Sequence, residues 1–260
     1  MVKGVDIFRE RFRAFEGSFI LIGGAACDEW FATQGIKFRA TKDLDIVLIV
    51  EVVDGRFVAA IRQFVDDGGY EIRQRTDGSP ILYRFARPTD GRFPFMLEFF
   101  SRNQGALDLK ENQNLIPFIV EPDLHSLSAI LLDDAYYALI QSQQEVRDGV
   151  QFATVAALIP LKARAWLDLA ARRANEEKID SKDITKHRTD VFRLAATLPG
   201  EPGPILATSI TADLARFLTA FPETSSDWPA ILASLTEIFG NSVRPGALRS
   251  AIQTFFRLSA

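Results

Sequence analysis

The chain has 260 residues, 47% hydrophobic and 25% charged, with 30 Lys+Arg against 34 Asp+Glu for a formal net charge of -4. That balance excludes a disordered or collagen-like chain and leaves room for one large domain or two with cores of their own. A single cysteine, Cys27, and two histidines, His125 and His187, exclude an intrachain disulfide, a cysteine-based zinc site and a His-rich metal site.

In chain order, Val5, Phe8, Phe12 and Phe15 recur at helical spacing and predict an amphipathic helix over 5–15. The charges among them interrupt any signal-peptide core, and no run reaches the ~20 apolar residues of a membrane span. A cytoplasmic protein without a membrane partner is expected. Phe19-Ile20-Leu21-Ile22, Gly23-Gly24 and Ala25 to Phe31 read as strand, glycine turn and helix. A second apolar run, Ile46 to Val50, follows Asp43-Leu44-Asp45 and precedes a helix from Arg56 to Val65. Three strands are expected at Tyr70 to Arg75, Ile81 to Ala86 and Phe93 to Phe100, separated by the turns Asp77-Gly78-Ser79-Pro80 and Pro88-Thr89-Asp90-Gly91. Leu115 to Val120 and Ala138 to Val146 are expected to add strands or a hairpin, with Asp133-Asp134 as a strand turn and His125 in a loop or cap. Helical spacing then takes over at Pro160 to Arg173, Lys182 to Leu198, Ile210 to Phe221, Trp228 to Phe239 and Ala247 to Leu258, with Pro160 at a first helical position. The pattern predicts an α+β protein, with a mixed-sheet domain over 1–150 and a mainly helical domain over 151–260.

Asp43 and Asp45 lie two apart on a strand, so both carboxylates share a face. Such a pair is either exposed or built around a cation, because two like charges held together repel. Glu98 sits in the apolar run Phe95-Met96-Leu97-Glu98-Phe99-Phe100, where a carboxylate must be coordinated or paired with an Arg. The three together offer the hard oxygen ligands that Mg²⁺ prefers. Gly23-Gly24 opens a helix after a strand and leaves backbone N–H groups free for an anion. Lys162 shares a helix face with Ala165, Trp166 and Leu169, so its ammonium points inward, toward a bound triphosphate or a neighbouring carboxylate. Lys182, Lys186 and Asp190 stack on the next helix, capped by Asp180 or Ser181. Residues 161–193 hold nine Lys+Arg against six Asp+Glu, a solvated surface or a basic wall. Cys27 reads as a small buried hydrophobe, and Trp166 and most phenylalanines as core.

The strand-Gly23-Gly24 turn, Arg39-Ala40-Thr41-Lys42-Asp43-Leu44-Asp45-Ile46 and Glu98 on a later strand resemble the nucleotidyltransferase superfamily of the polymerase-beta type. Within it the chain is similar to the AbiEii group of type IV toxins. Leu161 to Trp166 and the segments Ser181-Lys182-Asp183 and Lys186 to Val191 resemble that group's helical lysine and acidic motif. The likeness spans about residues 18 to 195. It implies that Asp43, Asp45 and Glu98 bind two Mg²⁺ ions and, with Lys162, form the catalytic set. It further implies that Gly23, Gly24, Arg39, Thr41, Lys162, Lys182, Asp183 and Lys186 bind an NTP. The implied reaction moves an NMP to a hydroxyl acceptor, RNA or tRNA or a small molecule as in aminoglycoside nucleotidyltransferases, with an antitoxin as partner. Ala25 replaces the usual Ser or Thr after the glycines, which makes a non-catalytic nucleotide-binding module the alternative. The loop Thr33-Gln34-Gly35-Ile36-Lys37 lengthens the spacing to Asp43.

Overall fold

Phe8 and Phe12 stack with ring centroids 4.4 Å apart on the first helix, α1 (Val5–Phe12), which continues into a 3₁₀ turn at Arg13–Phe15. The computed structural model describes residues 3–49, 51–71, 83–100 and 133–258. β1 (Phe19–Ile22) leads directly into α2 (Gly23–Thr33), then β2 (Asp43–Leu48) and α3 (Gly55–Gly68). Asp54 caps α3 by accepting from the N–H groups of Arg56 and Phe57, and Gly69 closes it in the left-handed region. β3 (Tyr83–Ala86) and β4 (Met96–Phe100) follow. Of the strand expected at Tyr70 to Arg75, Glu71 bridges Ala86; residues 72–75, the run Leu115 to Val120 and His125 lie outside the described residues.

Two expectations are corrected. Residues Asp134–Ser142 form a helix, α4, where Ala138 onward was expected to be strand, and Asp133 is its N-cap rather than part of a strand turn. A short apolar run cannot by itself tell helix from strand. Tyr136, Tyr137 and Ile140 bury one helical face, and the Tyr136 hydroxyl donates to Asp213 at 2.9 Å. The strand material is the hairpin β5 (Gln144–Arg147) and β6 (Val150–Ala153). Pro160 lies inside α5 (Val155–Ala174), not at its start. Its ring removes one backbone bond, and the helix continues because every side chain from Val155 to Ala163 is buried, so packing outweighs the lost bond.

The six described strands form one mixed sheet in the order β3-β4-β2-β1-β6-β5, with β2 parallel to β4, β1 parallel to β6, and the other neighbours antiparallel. Residues opposite one another share a face. Phe19, opposite Leu48, faces the rings of Phe8, Phe12 and Phe57, which places α1 and α3 on that side. Ile22, Asp45 and Glu98 align on the other side. Here α2 packs on β1 and β2, and α5 packs on α2. The remaining helices are α6 (Ser181–Ala195), α7 (Thr208–Ala220), α8 (Trp228–Phe239) and α9 (Pro245–Phe256). α5 is their centre, packed on α6 and α7. Trp166 is half-buried and packs on Phe217 and Phe221 at the edge of the core. Among the described residues no helix is long and apolar enough to cross a membrane. The α+β class matches the expectation.

Candidate functional site

The parallel register of β2 and β4 sets Asp45 beside Glu98, with Asp43 two residues away on the same face. Glu98 is buried, Asp43 and Asp45 half-buried. Burial first, and then the neighbouring Asp45, push the Glu98 carboxyl well above its ordinary range. Burial and Asp45 likewise push Asp43 up. Arg84 on β3 is the arginine the sequence left unnamed. Its Nε lies 3.1 Å from Glu98 Oε1 but donates to Met96 Sδ at 2.7 Å, and Oε1 accepts no hydrogen bond. Arg84 therefore stands beside Glu98, while Lys186, Arg84 and Lys42 all act on Asp43 against burial and Asp45.

The glycines close against this cluster. Gly23 has φ of 63°, and a Cβ there would overlap the Asp45 carboxylate; a Cβ on Gly24 would meet Thr41 Oγ1 at 2.5 Å. The start of α2 thus touches β2 through Gly23 and the segment before β2 through Gly24, the two residues the sequence marked as a phosphate turn, and only glycine fits at Gly23. Its nearest anion is the Asp45 carboxylate itself. Ala25, where a hydroxyl is usual in the resembled family, is buried.

A second cluster gathers on α6. Asp190 is fully buried and accepts from Arg39 Nε at 3.0 Å and Nη2 at 2.7 Å, Lys162 Nζ at 2.9 Å and Arg193 Nη1 at 3.1 Å. Burial alone would raise this carboxyl, but Lys162 and Arg39 hold it well below its usual value. Of the two partners the sequence allowed for Lys162, the structure shows the carboxylate. Burial works against the Lys162 charge, and Asp190 more than restores it. Cys27 lies in the same region, where burial pushes its thiol up to about 11 and keeps it protonated. The His187 ring beside Lys162 and Lys186 is pressed by burial, and then by those cations, down to about 3, and its buried Nδ1 has no hydrogen-bond partner.

An open cavity of about 330 Å³ runs along α6 beside Asp190. Lys182 and Lys186 line it with Arg39 and Arg193, and among the described residues Asp190 is the single acid on its wall. Asp183 occupies the first turn of α6 but does not line the cavity. Lys186 acts on Asp43, lowering it against the other influences there, so the cavity adjoins the carboxylate cluster. Asp190, Arg193 and Arg84 were absent from the predicted site set. Asp190 and Arg193 carried a signal, an acid and a base three apart on the helix face that turns apolar at Val191; Arg84 carried none.

Among the described residues no three His, Cys, Asp or Glu side chains are gathered, as they stand, to hold a metal ion. The donor set nevertheless suits a hard cation: oxygens only, with Glu98 Oε1 buried and accepting no hydrogen bond, and the Glu98 and Asp43 carboxyls displaced upward by burial and then by Asp45. No protein-family model, curated protein or solved structure matches this chain.

Proposed function

We propose that this chain is a Mg²⁺-dependent nucleotidyltransferase that moves an NMP from an NTP to a hydroxyl acceptor. One observation carries the reading: Asp43, Asp45 and Glu98 share one face of the sheet, and the cation-lined cavity along α6 lies close enough for Lys186 to act on Asp43. A carboxylate set short of positive charge calls for a metal, and a cation set short of negative charge calls for a polyanion. A magnesium nucleotide supplies both.

In this reading Asp43, Asp45 and Glu98 hold Mg²⁺. The bound metal would supply Lewis acidity toward a phosphoryl oxygen and lower the pKa of the acceptor hydroxyl. Gly23 fixes Asp45 by leaving no space beside it. Lys182 and Lys186, both exposed, meet the phosphates. Arg39 and Lys162, tied to Asp190, set the field behind them rather than reach out as free ligands. Their fixed positions stabilise charge building on the departing pyrophosphate without reorganising.

The acceptor class follows from the resemblance alone: RNA or tRNA, or a small-molecule hydroxyl. A role as a type IV toxin with an antitoxin partner has the same footing, tested by growth arrest on expression that Asp45→Ala relieves. Labelled NTP incubated with total RNA or with aminoglycosides and Mg²⁺ is expected to transfer label to one of them, and Asp43→Asn with Asp45→Asn to abolish transfer. Transfer unchanged in that variant would sink the assignment. A second reading, nucleotide binding without transfer, is favoured by Ala25, whose buried methyl offers a phosphate no hydroxyl. Calorimetric NTP binding together with no transfer to any acceptor would select it.

A further inference from the structure

Phe95 stands apart from the other described phenylalanines, which are buried or packed against the core. Among the described side chains the exposed large hydrophobics are Val52, Phe95, Val146 and Ile205, and Phe95, 47% exposed, is the one aromatic of the four. One exposed ring alone is ordinary on a protein surface. Its placement is not.

The ring stands on a fixed base. The Phe95 N–H donates to the Lys42 carbonyl at 3.1 Å, and the Phe95 carbonyl accepts from the Arg87 N–H at 3.0 Å. The preceding Pro94 carbonyl accepts from the buried Tyr70 hydroxyl at 2.7 Å. Lys42, Phe95 and Arg87 therefore lie side by side across the sheet, one residue beyond the row in which Met96 pairs with Asp43 and with Ala86.

A cation flanks the ring on either side along that row. Lys42 and Arg87 are both exposed, and Lys42 Nζ lies 5.7 Å from the ring centroid. Arg87 Nη1 is 3.7 Å from Glu71 Oε2 with both side chains exposed, a pair of the kind that contributes little and yields to a competing anion. Cation, aromatic and cation in a row match a nucleobase with a phosphate on each side of it, because bases stack on aromatic faces while the backbone follows positive charge. A free phosphate would have no use for the ring, and an apolar ligand none for the cations.

The row also borders the carboxylate centre. Asp43 follows Lys42, and strand alternation turns the two side chains to opposite faces of the sheet. Lys186 acts on Asp43 from α6, the side given to the NTP phosphates, which leaves the Phe95 side to the second substrate.

We propose that Lys42, Phe95 and Arg87 form the docking row for the acceptor, an unpaired stretch of nucleic acid with one base stacked on Phe95. From there the strand crosses the end of the sheet and presents its terminal hydroxyl beside Asp43. The acceptor role rests on the nucleotidyltransferase reading and selects nucleic acid over a small-molecule hydroxyl; the binding of the strand does not depend on it.

The test is fluorescence anisotropy of the full chain with a labelled single-stranded RNA of about ten nucleotides in EDTA. Phe95→Ala is expected to weaken binding at least about fivefold, the low end for one base stacked on an aromatic ring, and Phe95→Trp to retain it. Lys42→Gln and Arg87→Gln should each flatten the dependence of log K on log salt by about 0.7, as one lost phosphate contact does on a single strand. All three side chains are exposed, so each variant should melt with the wild type. No binding, binding unchanged in Phe95→Ala, or equal binding of the same sequence as a duplex, whose bases are already stacked, would overturn the proposal. Displacement of the strand by an NTP in EDTA would put the nucleotide's own base on the ring and overturn it as well. The Asp43→Asn, Asp45→Asn variant should bind the strand at least as tightly while losing transfer. Phe95-dependent strand binding in a wild type that transfers nothing would support the site and overturn the enzyme reading; transfer to an aminoglycoside without strand binding would do the opposite.

Discussion

The sheet and α6 each crowd like charges into a partly dry space, yet they resolve the crowding in opposite ways. On α6 the counter-ion is built in. Asp190 collects Arg39 from the segment before β2, Lys162 from α5 and Arg193 from its own helix, and stays ionised although no solvent reaches it. On the sheet the counter-ion is not sufficient. Arg84 approaches Glu98, but burial and then the neighbouring Asp45 outweigh it and push the carboxyl up. A cluster that closes its own charge balance is a fastener; one that leaves the balance open stores repulsion for a ligand to relieve. The fastener joins the two halves of the chain, and it holds the cation-lined wall beside the open cluster.

The sharpest break in this comparison comes from Asp43→Asn with Asp45→Asn. Transfer is expected to fall by at least about 10³-fold, since even one lost electrostatic contact at a reacting centre costs on the order of 10²–10³. Thermal stability of the same variant in EDTA should hold or rise, because repulsion is removed. A fall in its melting temperature would show that these carboxylates fasten the fold after all.

Asp190→Asn attacks the other cluster and should do the reverse, lowering unfolding free energy by about 3–5 kcal/mol in urea titration, as buried pairs do when one partner is removed. A loss under about 1 kcal/mol would mean that the three cations find solvent instead.

Gly23→Ala tests the contact between α2 and Asp45. The left-handed backbone alone costs about 1–2 kcal/mol, and the new methyl must displace the carboxylate. Reduced stability and reduced transfer are expected together, whereas Gly17→Ala, at a site of open space, should cost stability alone.

The effect at neutral pH is smallest for a pH slope, which grows only on acidification. His187 holds a folded pKa near 3 against an ordinary 6.5, so the unfolded chain binds the extra proton and stability falls as pH drops below 6.5 toward 3. The slope is at most about 1.4 kcal/mol per pH unit and should flatten in His187→Gln. Asp190, also held low, adds its own loss only as pH falls below its ordinary 3.8. Equal urea midpoints at pH 7 and pH 5 would show that the ring titrates freely.

Much of this is legible in the sequence. The strand-glycine-helix unit, the face shared by Asp43 and Asp45, the isolation of Glu98 among apolar residues and the inward Lys162 all follow from periods of 2 and 3.6, which act over a few residues. Pro160 and the segment after Asp133 depart from their local pattern because preference gives way to burial: Val155 to Ala163 sink an entire stretch of helix, and Tyr136, Tyr137 and Ile140 turn an ambiguous run into one helical face.

By itself, then, the sequence determined which residues carry charge into apolar surroundings, and hence which needed partners. Which partner each received was decided by tertiary structure. Arg39 and Asp190 are 151 residues apart, Lys162 and Asp190 28, and Arg84 reaches Glu98 only through the pairing of β3 with β4. Coulombic pairing acts over a few ångströms of space, and no pattern along a chain encodes which distant segments the packing of a sheet against helices will bring that close.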